Sequence, residues 1–251
     1  MRELPVHTLC SAALLLSCLT ASFAQTQTPP AAPAKVDDVQ DLPLHEVPQK
    51  DASTDMLGIL ITGDGGWWTL DRVVSETLAS HGVPVVGISS YHYFSKPKTP
   101  ESTAEDVARV ARHYMTEWKK KRVVLMGYSL GAEIIPFVAN RMPEDLSKLV
   151  AAVVMIAPSA DASFEFHLTD WVASGYSGKT YQVQPELDRL PAVKILCAYA
   201  EKDPDCICAK QDATKITPIH RDGDHHFDGD YTGLGEAIWQ SLSATPQALA
   251  K

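Results

Sequence analysis

Basic residues are the scarcer charged type in this 251-residue sequence, with 22 Lys and Arg against 31 Asp and Glu and a formal net charge of −9. Nucleic-acid binding depends on clustered Lys and Arg that neutralise phosphates, so no nucleic acid is expected among the partners. An acidic protein is better matched to a cationic or zwitterionic substrate, although net charge by itself mainly affects solubility.

A hydrophobic run of the roughly 20 residues that span a bilayer is missing near the N-terminus. The apolar run there covers only Leu9 to Leu19, and Ser22-Phe23-Ala24 then places small residues at the two positions that a signal peptidase reads. We therefore expect residues 1–24 to be a signal peptide that is cleaved after Ala24, and the protein to be exported to the periplasm. A lipoprotein acylated at Cys18 is the alternative.

Cysteine is sparse as well. Of the five cysteines, Cys10 and Cys18 lie in the expected leader, which leaves Cys197, Cys206 and Cys208. The Cys-x-Cys spacing has no second Cys or His pair nearby and is poor for zinc, so we expect no metal site and no cofactor. In an oxidising compartment we expect a disulfide between Cys197 and one of the other two, with one thiol left over.

Glycine and proline are too few for a collagen-like or low-complexity chain, at 14 and 17 residues, and the composition is 45% hydrophobic and 21% charged. These values are typical of an ordinary globular domain. Residues 25–50 are rich in Pro, Ala, Gln and Thr and have no apolar periodicity, which predicts a flexible tether. The globular domain is expected over residues 51–246, followed by a short tail at 247–251.

Short apolar runs alternate with longer amphipathic stretches throughout this domain. The runs are rich in Val, Ile and Leu, as expected for strands buried on both faces of a parallel sheet. The alternation predicts an α/β fold with a mostly parallel, doubly wound sheet and right-handed crossovers. The predicted strands cover residues 56–62, 83–89, 122–127, 149–157, 193–200 and 214–220, and the predicted helices cover residues 70–80, 101–120, 130–141 and 230–243.

The most specific local pattern is Gly127-Tyr128-Ser129-Leu130-Gly131, a G-x-S-x-G sequence between a predicted strand and a predicted helix. A nucleophile on such a turn has a strained backbone that projects its hydroxyl from the sheet, and the two glycines avoid clashes with the neighbouring strand and helix. A phosphate-binding loop is the alternative, but the sequence lacks the G-x-x-x-x-G-K pattern there. The pattern predicts an α/β-hydrolase fold with Ser129 as the nucleophile.

In that fold, residues 159–190 form a small insertion after the sixth standard strand, at a position where insertions usually cover the active site. Phe164, Phe166 and Leu168 alternate with polar residues, which indicates an extra strand or an extended arm. The sequence assigns no further structure to this segment.

A serine nucleophile needs a base and an orienting carboxylate, and in this fold the acid precedes the histidine in the chain. Asp203 stands where the strand 193–200 ends, and Asp205 is the alternative acid. His225 is the preferred base, in the Gly-bearing loop after the last predicted strand. His226 is expected to support it at the substrate site, and the sequence also leaves His226 open as the base.

An oxyanion hole needs preorganised backbone N–H groups. One is expected from Leu130, directly after the nucleophile, and the other from Asp64 or Gly65 in the Gly-rich loop that follows the first predicted strand. Glycine lets this backbone approach a ligand closely. The same loop could instead cradle a phosphate, or serve both roles.

Together these segments resemble the VirJ/AcvB family of bacterial virulence proteins. The resemblance extends over roughly residues 55 to 245. The family usually has Gly-Gly before the histidine pair where this sequence has Gly223-Asp224, which keeps the identity of the base open. The matching motifs are Thr62 to Trp67, Tyr93-Phe94 with Lys98 to Glu101, Gly127 to Glu133, and Gly223 to Tyr231.

The resemblance implies a periplasmic serine hydrolase that cleaves the aminoacyl ester of an aminoacylated phospholipid such as lysyl-phosphatidylglycerol, with a link to type IV secretion components. A lysyl headgroup carries two ammonium groups that need carboxylates. We therefore expect Asp64 and Glu133 to bind substrate, together with Trp67 and His226. An exported esterase for another ester and a non-catalytic chaperone or adaptor for secretion are the alternatives, and a monomer is expected.

Overall fold

A seven-stranded sheet organises the part of the chain that the computed structural model describes, which is Met1 and residues 37–50, 54–165 and 179–244. The sheet belongs to one compact unit, residues 36–251. The predicted leader over residues 1–24 and the predicted tail over 247–251 lie outside the described residues, apart from Met1.

The sheet is parallel except at one edge. Its strand order is β1-β3-β2-β4-β5-β8-β9, and only β1 pairs antiparallel with its neighbour. All six residues of β2 are buried, as expected when helices cover both faces of a sheet. The predicted mostly parallel sheet is confirmed. The strands are β1 (Leu44–Val47), β2 (Met56–Ile61), β3 (Val85–Ile88), β4 (Arg122–Tyr128), β5 (Val150–Ile156), β6 (Asp161–Ser163), β7 (Thr180–Gln182), β8 (Lys194–Ala200) and β9 (Thr217–Arg221).

Helices cover both faces of this sheet. They are α1 (Thr69–Ser80), α2 (Ser90–Tyr93), α3 (Pro100–Glu117), α4 (Leu130–Arg141), α5 (Glu144–Ser147), α6 (Gln184–Asp188) and α7 (Tyr231–Ser243). Helices α1 and α7 pack together on one face, and α3 and α4 pack together on the other, which confirms the doubly wound arrangement. Within the described ranges no helix is both long enough and apolar enough to cross a bilayer.

Part of the predicted tether is folded onto the sheet. Val39 is buried in the core, and β1 pairs with β3 at the sheet edge. The prediction of a flexible tether over residues 25–50 is therefore wrong for residues 37–50, while residues 25–36 lie outside the described residues. An edge strand of four residues, none of them fully buried, carries little apolar signal, and its partner lies about 40 positions later, so the local sequence did not indicate it.

The insertion after β5 contains a small antiparallel sheet of β6 and β7. Phe164, which directly follows β6, is buried between Phe137 of α4 and Tyr181 of β7, with ring centroids 5.4 Å from each. The strand expected from the alternation that begins at Phe164 is not formed by Phe164 and Glu165, because β6 ends at Ser163. The rest of the insertion, residues 166–178 with Phe166 and Leu168, lies outside the described residues.

A disulfide joins Cys197 of β8 to Cys208, and Cys206 remains a buried free thiol. The expected pairing of Cys197 is confirmed, and the structure identifies Cys208 as its partner. Burial raises the pKa of the Cys206 thiol to about 11. The bridge closes a loop that contains Asp203, so it ties the segment after β8 to the strand itself.

Candidate active site

Ser129 occupies a sharp turn between β4 and α4. Its backbone has φ 49° and ψ −118°, a conformation that costs a non-glycine residue roughly 1–3 kcal/mol. The Ser129 N–H donates to the carbonyl of Ile156 at the end of β5, 2.9 Å away. The turn is thereby fixed to the neighbouring strand, which holds the side chain at the carboxyl edge of the sheet.

The glycines on either side of this turn are sterically required. A Cβ on Gly127 would lie 2.2 Å from the Gly131 backbone, and a Cβ on Gly131 would lie 2.0 Å from the carbonyl oxygen of Ile61. Real Cβ atoms do not approach backbone atoms so closely. The two glycines therefore allow α4 to start directly against β2 and β4.

Replacing Gly131 by Ala should lower the free energy of unfolding by about 3 kcal/mol or more, because the methyl group would collide with fixed strand backbone. Urea unfolding followed by circular dichroism measures this. In the control Gly229→Ala, φ is 82° but the methyl group meets nothing within 4 Å, so only about 1–2 kcal/mol of backbone strain is expected. A Gly131→Ala protein as stable as the wild type would contradict the steric account.

The structure brings Ser129, His225 and Asp203 into one hydrogen-bonded series. Ser129 Oγ lies 3.0 Å from His225 Nε2, and His225 Nδ1 lies 2.7 Å from Asp203 Oδ2. The Asp203 side chain is only 6% exposed. The three residues follow β4, β9 and β8, whose carboxyl ends share one edge of the sheet. This is the geometry in which a base can take a proton from serine while a carboxylate orients the base.

The two alternatives that the sequence left open lie elsewhere. Asp205 is exposed, farther along the loop that carries Asp203. His226 Nδ1 is hydrogen-bonded to the Tyr128 hydroxyl, 3.0 Å away. The structure thus places His225 and Asp203, rather than their neighbours, in line with Ser129.

A cleft of about 430 Å³ opens in front of Ser129. Its size falls in the range of small-molecule sites. The loop residues Asp64 and Gly65 line it, as do His225 and His226, while other lining residues come from the start of α1 and from Tyr231 of α7. The expected positions of Asp64, Gly65 and His226 at the serine therefore agree with the geometry.

The Gly-rich loop after β2 is fastened beside the serine. The Gly63 carbonyl accepts hydrogen bonds from the Gly66 N–H and the Ser90 hydroxyl. A Cβ on Gly63 would stand 3.6 Å from the Ser129 Cβ and 3.1 Å from the Tyr128 ring, so the loop backbone lies directly against the turn. Leu130 is the first residue of α4, where backbone N–H groups lack intrahelical acceptors. Both expected sources of oxyanion donors therefore flank Ser129.

Trp67 is not at the cleft, which corrects its expected contact with substrate. Its ring stacks on His45 of β1, with centroids 4.9 Å apart, and packs against Gly87 of β3. The next residue, Trp68, is 67% exposed and lines the cleft instead. The sequence could not distinguish them, because the direction of each side chain depends on the folded loop.

Glu133 also lies away from the cleft lining, contrary to the sequence-based assignment. It is 9% exposed, and its Oε1 accepts hydrogen bonds from the Ser159 hydroxyl (2.5 Å) and N–H (3.3 Å). Burial raises the pKa of the Glu133 carboxyl to about 7. Its hydrogen bonds to Ser159 connect α4 to the start of the insertion.

Sequence reasoning missed one acid at the cleft, Asp71 in the first turn of α1. It is only 1% exposed, lines the cleft, and accepts the Trp68 N–H at 3.1 Å. An acid at this position of a helix is commonly a capping residue or complements the helix dipole, so the sequence alone gives no signal of a binding role.

A family model described as "Bacterial virulence protein (VirJ)" matches residues 55–245. No curated protein sequence matches the chain significantly.

Solved structures share the fold at low identity. An alpha-beta serine hydrolase homologue from Coxiella burnetii is 17% identical, with a TM-score of 0.55 over 80% of this chain and 91% of that chain. Est1E from Butyrivibrio proteoclasticus is 13% identical, with a TM-score of 0.55 over 80% and 93%. XC6422 from Xanthomonas campestris, described as an a/b serine hydrolase without lid, is 15% identical, with a TM-score of 0.52 over 81% and 89%. The chain has the α/β-hydrolase fold.

Proposed function

The chain belongs to the VirJ family of bacterial virulence proteins, and from this premise we propose that it is a periplasmic serine hydrolase that cleaves the aminoacyl ester of an aminoacylated phospholipid such as lysyl-phosphatidylglycerol. One observation carries the proposal. Ser129, His225 and Asp203 form a hydrogen-bonded series beside a Gly-rich loop at an open cleft. A protein that only binds a ligand would not need a serine, a histidine and an aspartate in this hydrogen-bonded arrangement.

The first half of the proposed reaction forms an aminoacyl-enzyme. His225 Nε2 accepts the Ser129 proton as Oγ attacks the ester carbonyl carbon, and Asp203 stabilises the imidazolium that results. The carbonyl oxygen becomes an oxyanion, which the N–H of Leu130 and that of Asp64 or Gly65 stabilise. The C–O bond of the ester then breaks, and the leaving glycerol oxygen takes the proton from His225.

The second half returns the enzyme to its starting state. His225 takes a proton from water, whose oxygen attacks the acyl carbon, and the bond to Ser129 Oγ breaks as His225 returns the proton to it. The products are the free amino acid and phosphatidylglycerol. At the end of the cycle Ser129 has its proton back, His225 is neutral again and Asp203 is still ionised.

The surroundings of the serine suit a cationic acyl group. Asp64 and Asp71 both line the cleft, and Trp68 and Tyr231 add aromatic surface beside them. Aromatic faces and carboxylates are the groups that attract ammonium. The net charge of −9 acts in the same direction. The periplasmic location rests on the leader sequence over residues 1–24, and a link to type IV secretion components rests on the family alone.

A panel of lipids in mixed micelles tests the proposal. The purified protein should release lysine from lysyl-phosphatidylglycerol and should leave unmodified phosphatidylglycerol intact, with Ser129→Ala as the inactive control. Mass spectrometry of the quenched reaction should detect an aminoacyl adduct on Ser129.

Two other results would replace the proposal with a different function. Release of fatty acid from both lipids would indicate an exported esterase of another specificity. No hydrolysis of any ester, with no adduct on Ser129, would favour a non-catalytic chaperone or adaptor.

A further inference from the structure

Asp71 is a buried carboxylate in the wall of the cleft. It is 1% exposed and belongs to the first turn of α1, directly after the Gly-rich loop. One oxygen, Oδ2, accepts the Trp68 N–H at 3.1 Å and thereby fastens that loop to the helix. Asp71 therefore lies where the loop, the helix and the cleft meet.

The second oxygen of Asp71 has no hydrogen-bond partner among the described residues. Oδ1 is buried and unpaired, although the residue lines the cleft. Buried carboxylate oxygens are nearly always paired, because an unpaired one loses its hydration without compensation. Burial accordingly raises the pKa of the Asp71 carboxyl to about 7, against the lowering effect of nearby backbone N–H groups. A ligand that supplies a positive charge and a donor would complete this site.

The neighbours of Asp71 around the cleft offer aromatic and polar surface but no fixed cation. Tyr128, Tyr231 and His226 line the same cleft, and among the described residues that line it there is no Lys or Arg. Ammonium groups bind favourably between a carboxylate and aromatic faces. These features fit a subsite for an organic cation, in which the positive charge that pairs with the Asp71 carboxylate comes from the ligand.

We propose that Asp71 binds an ammonium group of the acyl part of the substrate and so selects cationic acyl esters. The inference rests on the proposed hydrolase function and names the residue that determines its specificity. Asp64, the other acid at the cleft, is exposed, so its charge is screened by water and its contribution is smaller.

Two soluble esters with the same leaving group test the proposal, namely the 4-nitrophenyl esters of 6-aminohexanoate and of hexanoate. They differ only in a terminal ammonium. Asp71→Asn keeps an amide oxygen that can accept the Trp68 N–H but removes the charge. It should lower kcat/KM for the cationic ester by at least about tenfold, mainly through KM, and should change the neutral ester by less than about twofold.

A matched control on the same helix is Glu76→Gln. Glu76 pairs with Arg72, its side chain is 45% exposed, and it does not line the cleft. The substitution removes the same charge as Asp71→Asn, so it reports any effect of net charge alone. Both esters should be cleaved by this variant at rates close to those of the wild type.

The pH dependence gives a readout that a purely structural role would not change. A cation binds the ionised carboxylate, so the ratio of kcat/KM for the cationic ester to that for the neutral ester should rise between about pH 6 and 8 in the wild type. In Asp71→Asn the ratio should be flat. The ratio removes any effect of pH on the chemical step that the two esters share.

The other titratable side chains that line the cleft with Asp71 are those of Asp64, Tyr128, His225, His226 and Tyr231. His226 lines the cleft beside Asp71, so His226→Gln is measured alongside and should keep the rise.

Each outcome separates the inference from the proposed function. A wild-type protein that cleaves neither ester contradicts the hydrolase function itself. A wild type that cleaves both, with an Asp71→Asn variant that loses both equally, would mean that Asp71 only fastens the Gly-rich loop. If the ratio no longer rose with pH in His226→Gln but still rose in Asp71→Asn, His226 would be the residue that recognises the charge. That result would overturn the proposal.

Discussion

Ser129→Ala should lower kcat for ester hydrolysis by about 10⁶-fold, the size of effect seen when a serine nucleophile is removed from a working triad. The Ser129 hydroxyl lies 3.0 Å from His225 Nε2 and is the group that His225 would deprotonate. Without it no acyl-enzyme forms, and the oxyanion donors and substrate binding leave only a small residual rate. Active-site titration with a fluorophosphonate and steady-state turnover both measure the loss.

The fold of this variant should be unchanged, because Ala keeps the Cβ and the backbone hydrogen bond of Ser129 to Ile156. Thermal unfolding should therefore match the wild type. Ser95→Ala is the matched control, since Ser95 is exposed and its hydroxyl donates a local hydrogen bond to the His92 carbonyl. It should keep both turnover and labelling. A Ser129→Ala protein with near wild-type turnover would refute the serine mechanism.

Asp203→Asn should lower kcat by about 10⁴-fold with little change in KM. The Asp203 carboxylate accepts the hydrogen bond of His225 Nδ1 at 2.7 Å, which keeps Nε2 free to take the serine proton. An amide can present its NH₂ group to Nδ1 instead. This favours the tautomer that carries the proton on Nε2, where it blocks proton transfer from Ser129.

The control for this effect is Asp205→Asn, two residues along the same loop. Asp205 is exposed, so loss of its charge should change kcat by less than about twofold. The kinetics of both variants are measured on a neutral nitrophenyl ester, because binding of an uncharged substrate depends little on the charge that each substitution removes. If Asp205→Asn were the damaging change, the orienting acid would be Asp205 and the loop would have to rearrange in solution.

The sequence alone predicted the elements whose signals are local. The six parallel strands and four main helices follow from apolar runs and helical periodicity, and the observed bounds differ from the predicted ones by only a few residues. The turn at Ser129 was recognisable for the same reason. Its two glycines lie within two residues of the serine. A side chain at either position would collide with backbone, so the requirement for glycine is visible in the local sequence.

The sequence was least informative at the edge of the sheet and in the cleft. The composition around β1 predicts a tether, because the strand is stabilised by pairing with β3 rather than by its own residues. Glu133 and Asp71 are both acids in the first turn of a helix, yet one faces the insertion and the other the cleft. Their sequence contexts do not differ in a way that predicts this.

The sequence by itself therefore determined the order of the strands and helices, the family and the position of the proposed nucleophile. Only the tertiary structure decided that His225 rather than His226 meets Ser129, that Asp203 rather than Asp205 meets His225, and that Cys208 is the partner of Cys197. The physical reason is distance along the chain. Ser129 and His225 are 96 residues apart, and their contact exists only because the parallel sheet brings the carboxyl ends of β4, β8 and β9 to one edge, where packing sets the direction of each side chain.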